Sequence, residues 1–492
     1  MLVVLLACAL WMQQLCAAFD DAICFGALTL DLPVRYLHIQ LRNDGVNLTQ
    51  SRGKLDISMS SHCRLRWEQI DNFDGSYVLR IRLWSSCESL TIMIRSPIGV
   101  LLCESPIVVK KENNSPLYAE YCDCPEMDAE EWMRNAQCAH YQQLNDDLEQ
   151  WQTIDVEQML SVVMQTWASP HQRFSAALCH YQIVDNQLYR QCFGEHSGFR
   201  IFVDEIFTSI MRKMRLPNTE FIFNLGDWPL ERKRPNGVAI VSWCGSNDTM
   251  DIVVPTYELM KSVIDSMHTV SLDIHTAKGK VHWPWHKKKD TAVFKGRDSS
   301  KLRLEIAMLA QKRPDLIEAG ITRYFFFNES LYTPQVKQMP FSDFFKHRYV
   351  LSIDGTVAAY RLPLLLAGDS VVFKSNSPFY EHFYSMLEPG VHYIPFELSS
   401  IIEKIELARK QDFNQTLRAM RQFVVDHLQP VHLYCYYVLF IQEYTKKLKQ
   451  APKRAAAKME HVERNATHDT CTCATQNQPN DRHVRRMQSG EL

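Results

Sequence analysis

A chain of 492 residues is longer than one hydrophobic core usually organises, so more than one domain is expected. With 46% hydrophobic residues, 22% charged residues and a formal charge of -2, the composition is globular and excludes a chain-wide attraction to nucleic acid or an anionic membrane. Any phosphate must be bound by a local site.

Residues 1–18 carry an apolar run from Leu2 to Met12 and end in Cys16-Ala17-Ala18, which predicts a secretory signal cleaved after Ala18. The run is too short to span a bilayer comfortably. Asn-x-Ser/Thr sequons at Asn47, Asn113, Asn247, Asn328, Asn414 and Asn465 agree with secretion. Of 15 cysteines, Cys8 and Cys16 fall in the signal and 13 remain, an odd number that leaves a thiol free or paired between chains.

From residue 19 to 110 the pattern is of short strands. Leu37, Ile39 and Leu41 alternate with Tyr36, His38 and Gln40, while Tyr77, Leu79, Ile81 and Leu83 alternate with Val78, Arg80 and Arg82. Asn43-Asp44-Gly45 and Asp74-Gly75 supply turns, and the whole predicts a β-sandwich. Residues 111–121 are polar, contain Pro116 and read as a linker. Beyond them strands are predicted over 220–224, 238–243, 292–295, 349–353 and 370–374, alternating with helices over 199–215, 301–312 and 357–367. That alternation predicts two parallel α/β sheets. Residues 451–492 turn polar and read as a flexible tail. They end in Ser489-Gly490-Glu491-Leu492, whose last two residues match the second half of a Lys-Asp-Glu-Leu retrieval signal.

The chain lacks G-x-G-x-x-G, P-loop, G-x-S-x-G, H-E-x-x-H and paired C-x-x-C motifs, and it has no Asp-x-Asp triplet, so no metal site is expected. Three strand ends rich in Gly, Arg or Asp remain. Phe294-Lys-Gly-Arg297-Asp298-Ser299-Ser300 leads into a helix that Asp298 or Ser299 can cap, with Arg303 near its start. A helix N-terminus ringed by Lys295, Arg297 and Arg303 suits a diphosphate. Asp354-Gly355-Thr356-Val357-Ala358-Ala359-Tyr360-Arg361 has small side chains that let backbone amides approach a phosphate, with Arg361 close by. Asn224-Leu-Gly-Asp227-Trp-Pro places a carboxylate at the end of a strand, where α/β active sites form. Taken singly, each also fits an ordinary capped helix or turn.

These segments carry a resemblance. With Cys122-Asp-Cys124-Pro, Ser242-Trp-Cys-Gly245, Asp251-Ile-Val-Val-Pro255, Trp283-Pro-Trp285 and His392-Tyr-Ile-Pro395, the stretch from Tyr121 to Tyr444 resembles the protein O-glucosyltransferases of the capsule-associated and lipopolysaccharide-modifying transferase superfamily. Asp74-Gly-Ser-Tyr77 with Glu104-Ser-Pro-Ile-Val-Val109 resembles a filamin-type immunoglobulin repeat. That domain and the near-retrieval end are similar to the KDEL-motif-containing branch of the transferases.

The resemblance implies a multidomain chain: a filamin-type immunoglobulin-like β-sandwich, then a metal-independent GT-B transferase over 122–450. Its two Rossmann-like lobes would cover about 122–265 and 266–430, with the last helix returning to the first lobe. It implies UDP-glucose or UDP-xylose as donor, no cofactor, Ser of folded EGF-like repeats as acceptor, and the endoplasmic-reticulum lumen, where a retrieval receptor would meet the C-terminus. By position it makes Asp227 the catalytic base and puts Arg303 and Arg361 on the diphosphate. Gly355, Thr356, Val357, Ala358, Ala359 and Tyr360 become the backbone cradle, with Arg297 a further donor contact. Phe193, Gly194, Glu195, His196 and Ser197 align with an acceptor-contacting cystine loop; Cys192 is kept, but Gly198 stands where the second Cys would be. The resemblance also implies a disulfide from Cys122 to Cys435, leaving Cys124 to bond nearby, with Cys138 as the candidate. Two other readings stay open at this point: a lumenal chaperone or scaffold that retains the transferase fold, and a transferase acting on glycans. Retention of Asp227, Arg303 and Arg361 together argues for catalysis.

Overall fold

The computed structural model describes residues 21–167, 177–264, 273–279, 281–464, 471 and 473. The expected signal segment, the Asn465 sequon and the Ser489–Leu492 end lie outside the described residues. Two compact units divide the chain, residues 1–122 with 467–492 and Asp123–Ala466.

The first unit holds two antiparallel sheets. One runs Asp21–Phe25, Arg35–Asn43, Ser76–Leu83, Leu65–Asp71, and the other Asp56–Ser60, Leu90–Arg95, Ile107–Val109. Leu90, Ile92 and Ile94 are buried while the residues between them are half-buried, the period-two pattern of a strand with one face in a core. Gly75, at φ +87°, is required at its turn: a Cβ there would sit 2.5 Å from the Leu48 carbonyl oxygen. Residues 111–121 lie against this unit. Buried Asp31 accepts from Lys111 Nζ at 2.6 Å, Arg35 Nη2 at 3.1 Å and the Tyr118 amide at 2.9 Å.

The second unit holds two α/β sheets. The expectation of two parallel sheets is met in only one. The first sheet runs Ile252–Val253, Ile240–Ser242, Thr219–Asn224, Leu178–Val184, Gln187–Phe193, Glu460–Val462 and is mixed, because an antiparallel hairpin is inserted at its centre. Its turn residues, Asp185 and Asn186, both take positive φ, as a two-residue hairpin demands. The second sheet is parallel throughout: Ile317–Arg323, Lys289–Arg297, His347–Ser352, Val371–Ser375, Ile394–Phe396. Ala292, Phe294, Tyr349, Leu351, Val371 and Phe373 form its core with Ile306, Ile401 and Ile405 from flanking helices. The last long helix, Pro430–Lys447, packs on the first sheet through tyrosine hydroxyls that donate to the carbonyls of Val253, Pro255 and Ala239.

Three expectations are corrected. Cys122 bonds Cys471 and not Cys435; Cys435 instead bonds Cys138, which removes Cys138 as partner of Cys124, itself disulfide-bonded. Connectivity is set by which Cβ atoms the fold brings together, and spacing cannot supply that. Residues 451–464 are not a loose tail: Glu460–Val462 adds an edge strand, with Arg190 paired to Glu460 at 2.9 Å and Arg464 to Asp123 at 2.6 Å. An edge strand needs little apolar content, so composition conceals it. The helix expected over 357–367 is confined to Leu362–Leu366, with Pro363 in its first turn and 354–361 a loop of bends and a turn.

Candidate active site

The buried strand Thr219–Asn224 ends in a loop that its own last residue fastens. Asn224 Nδ2 donates to the Trp228 carbonyl at 2.6 Å and to Ser242 Oγ at 3.1 Å, while its Oδ1 accepts the Gly226 amide at 3.0 Å. Buried Asp251 accepts the amides of Leu230 and Glu231, each at 2.9 Å, and the Ser242 hydroxyl at 2.6 Å. Asp227 sits in the middle of this fixed loop, half-buried. Burial, and then the charge of Glu258, raise its carboxyl above the ordinary 3.8. A carboxylate so placed binds a proton more readily than one in water.

Tyr360 brings the second sheet to this loop. Its hydroxyl donates to the Asp227 carbonyl at 3.5 Å, and the Cys244 thiol donates to the same oxygen at 3.2 Å. Behind Tyr360, Arg303 spans the loop: Nε and Nη2 donate to the Ile353 carbonyl at 3.2 and 2.8 Å, and Nη1 to Ser299 Oγ at 2.6 Å. Arg361 Nη1 donates to the Lys295 carbonyl at 2.9 Å. Both guanidiniums lie over the Phe294 ring, 5.4 and 5.9 Å from its centre. Their hydrogen bonds all go to neutral oxygens, so neither charge is matched at close range. Burial and the neighbouring Arg361 push Arg303 down to about 9, and burial lowers Arg361. Gly355 makes the close approach feasible, since a Cβ there would lie 2.6 Å from Ser299 Oγ and 3.2 Å from Arg303 Nη2. The loop is held at Ala359, whose amide donates to Asp354 Oδ1 at 3.1 Å. The amides of Thr356, Val357 and Ala358 meet no acceptor among the described residues.

Buried Arg303, half-buried Arg361 and a run of unengaged amides are suited to cradle an anion, with the Asp227 carboxylate on the facing loop. Residues 133–489 match the family model described as Glycosyl transferase family 90. The chain belongs to that family and is a glycosyltransferase. Its relatives include "Protein O-glucosyltransferase 2" of Danio rerio, 42% identical over 438 residues that cover 86% of each chain. "Protein O-glucosyltransferase 3" of Homo sapiens is 38% identical over 86% of this chain and 85% of its own. "Protein O-glucosyltransferase 1" of Homo sapiens is 29% identical over 55% and 72%.

In this family 90 chain Asp227, Arg303, Arg361 and Gly355–Tyr360 converge. Arg297 is exposed, with its guanidinium 5.3 Å over the Phe325 ring, and reaches the cradle only through its carbonyl, which accepts from Arg303 Nη1 at 3.3 Å. Asp298 does not cap the following helix; Ser300 occupies that position, and the buried Asp298 carboxylate takes the amides of Phe325, Phe326 and Phe327. Leu178 faces Phe193 on one side and Asn224 on the other, so Gly194–Ser197 and the Asp227 loop leave the sheet at the same edge. Cys192 bonds Cys179 across the hairpin, and Gly198 therefore costs no bond. Asn47, Asn113, Asn247, Asn328 and Asn414 are all exposed. Among the described residues Cys244 is the free cysteine, and burial pushes its thiol far above the ordinary range. Sequence reasoning missed Tyr257, which stands edge-on to Tyr360 at 5.9 Å and to Trp243 at 5.5 Å, and the buried Glu381. No local pattern marks either. Among the described residues no helix is long and apolar enough to cross a membrane.

Proposed function

We propose that this glycosyltransferase moves glucose from UDP-glucose to a Ser hydroxyl of a folded EGF-like repeat, with inversion and without a metal, in the endoplasmic-reticulum lumen. The observation that carries this reading is the pair of unmatched guanidiniums, Arg303 and Arg361, beside the Thr356–Ala358 amides, joined by Tyr360 to the Asp227 loop. The names of the relatives support glucose and a protein acceptor. The two α/β sheets act as the lobes of a GT-B fold, and the first unit as a filamin-type domain that spaces or binds rather than reacts. Disulfides and exposed sequons suit an oxidising lumen.

The Ser oxygen attacks the anomeric carbon as its proton passes to Asp227, and the bond to the diphosphate oxygen breaks. One displacement converts an α-linked donor to a β-linked product, so no second carboxylate is needed. The negative charge that grows on UDP is met by Arg303, Arg361 and the cradle amides, already oriented before the reaction. Those fixed positive groups do here what a divalent cation does elsewhere.

The reading is tested by incubating the purified protein with a folded EGF-like repeat and either UDP-glucose or UDP-xylose, in a chelator, and weighing the repeat. One added hexose on a Ser is expected. A repeat left unmodified by both donors, or modified only when manganese is restored, would overturn it.

A further inference from the structure

Behind the cradle lies a buried acid that the mechanism above does not use. Glu381 follows the short strand Phe379–Tyr380, which pairs with Gly245–Ser246 and so ties the second sheet's side of the cleft to the first. The side chain has no exposure to solvent, and neither carboxyl oxygen has a hydrogen-bond partner among the described residues. The Tyr384 and Thr256 hydroxyls lie beside it, neither in bonding geometry. Its charged neighbours are Asp354 from the cradle loop and Lys374 from the strand Val371–Ser375; Tyr384, Tyr360 and Cys244 complete the titratable groups around it. Lys374 Nζ has one long hydrogen bond, 3.4 Å to the Ser375 carbonyl, and sits 4.6 Å over the Tyr384 ring. One ammonium is thus shared, with no ion pair within 4.0 Å among the described residues, between buried Glu381 and half-buried Asp354. One of those, Asp354, holds the Ala359 amide through Oδ1, and its backbone carbonyl accepts from Arg303 Nε at 3.1 Å.

We propose that Glu381 is a positioning residue of the cradle, acting through Lys374 and Asp354 on the loop that takes the donor diphosphate. A single buried ammonium can balance one buried carboxylate, and a second ionised acid beside it is costly. While Glu381 keeps its proton, Lys374 serves Asp354, and Asp354 holds Ala359 and the Thr356–Ala358 amides in place. When Glu381 ionises, it draws Lys374 away and repels Asp354, and the loop loosens. Burial and the Asp354 charge push Glu381 up to about 8, so the held state belongs to neutral pH and is lost above it.

This inference rests on the donor-site reading above, and UDP binding separates the two. Calorimetric UDP affinity is measured at pH 7 and pH 9 for wild type, Glu381→Gln and Glu381→Met. At pH 7 both variants should bind UDP within a few-fold of wild type. Between pH 7 and pH 9 wild type should lose about tenfold more affinity than either variant, the share of molecules in which Glu381 is still protonated. Titration of the uracil ring is common to all three proteins and cancels. Equal alkaline losses in wild type and in a folded variant would overturn the role of Glu381 while leaving the donor site intact. A wild type that binds no UDP at pH 7 would instead remove the donor-site reading itself.

Discussion

Arg303 and Arg361 are the side chains on which donor binding should depend most directly. Removing Arg303 takes a buried charge from the cradle, leaves the Ile353 carbonyl without its donor and leaves the Asp354 carbonyl with Ser300 Oγ alone. Arg303→Ala and Arg361→Ala should each weaken UDP and slow transfer by roughly 10²–10³-fold, the loss seen when an oriented charge stabiliser is removed. Arg303→Lys keeps the charge but not the fork that reaches two carbonyls, so it should recover only part of the affinity. Calorimetry with UDP checks all three, and unchanged affinity in both alanine variants would place the diphosphate elsewhere. Asp227 gives a second prediction at this scale. As the proposed base it would have to be ionised to accept the acceptor proton, and burial raises its pKa. Activity at limiting substrate should therefore fall as pH drops, with a midpoint above the ordinary 3.8 of an aspartate. A profile flat down to that value would remove Asp227 as the titrating base.

At the scale of elements, the loop between His347–Ser352 and Leu362–Leu366 decides the site. Gly355→Val puts carbon against Ser299 and Arg303, where even a Cβ is too close. The expected result is a UDP affinity lowered tenfold or more, with a folding cost of about 1–3 kcal/mol from overpacking; denaturant titration and calorimetry separate the two effects. This loop also shows how much the sequence could tell. The helix Lys301–Lys312 and the second-sheet strands Lys289–Arg297, His347–Ser352 and Val371–Ser375 were legible from short apolar runs flanked by polar turns, whereas Ile317–Arg323 and Ile394–Phe396, interrupted by Glu318, Gly320 and Pro395, were not. The small residues Val357, Ala358 and Ala359 read equally well as helix, but in the fold Asp354 takes the Ala359 amide and the segment is a loop. Likewise Asp298 has the right type and place for an N-cap, yet three backbone amides from another segment compete for it and win. The hairpin Leu178–Phe193 was missed because Leu178–Val184 is buried on both faces and Gln187–Phe193 sets Arg190 on its more buried face, so neither shows a clean apolar alternation. Of the candidate site, Asp227 and the two arginines were singled out from the sequence because motif and chemistry coincide there. Tyr257 and Glu381 were not, because no local motif marks either: Tyr257 meets Tyr360 only in the folded chain, and Glu381 is distinguished by its burial rather than by its sequence neighbours.

At the scale of the whole molecule, long-range disulfides and the returning helix restrain the transferase unit. Cys138–Cys435 pins Pro430–Lys447, the helix whose tyrosines fasten the first sheet. Because Cys122–Cys471 encloses it, the loop it closes is shorter than its sequence separation of 297 suggests. Chain entropy then puts its contribution at about 4 kcal/mol. Cys138→Ser with Cys435→Ser should lower stability by that order in a denaturant titration while leaving the UDP affinity of the folded fraction unchanged. A loss below about 1 kcal/mol would mean the helix is held by packing alone. Peptide mapping without reduction should recover Cys138 with Cys435 and Cys122 with Cys471.

The central claim is that Asp227 acts as base opposite a separate diphosphate cradle, so chemistry and donor binding can be broken independently. Asp227→Asn keeps the shape and volume of the side chain and removes its ability to take a proton. Transfer and UDP affinity measured on the same preparation of this variant test the claim most directly. Turnover should fall by about 10² or more, while UDP binds within a few-fold of wild type. Turnover close to wild type, or loss of UDP binding in step with turnover, would contradict the account.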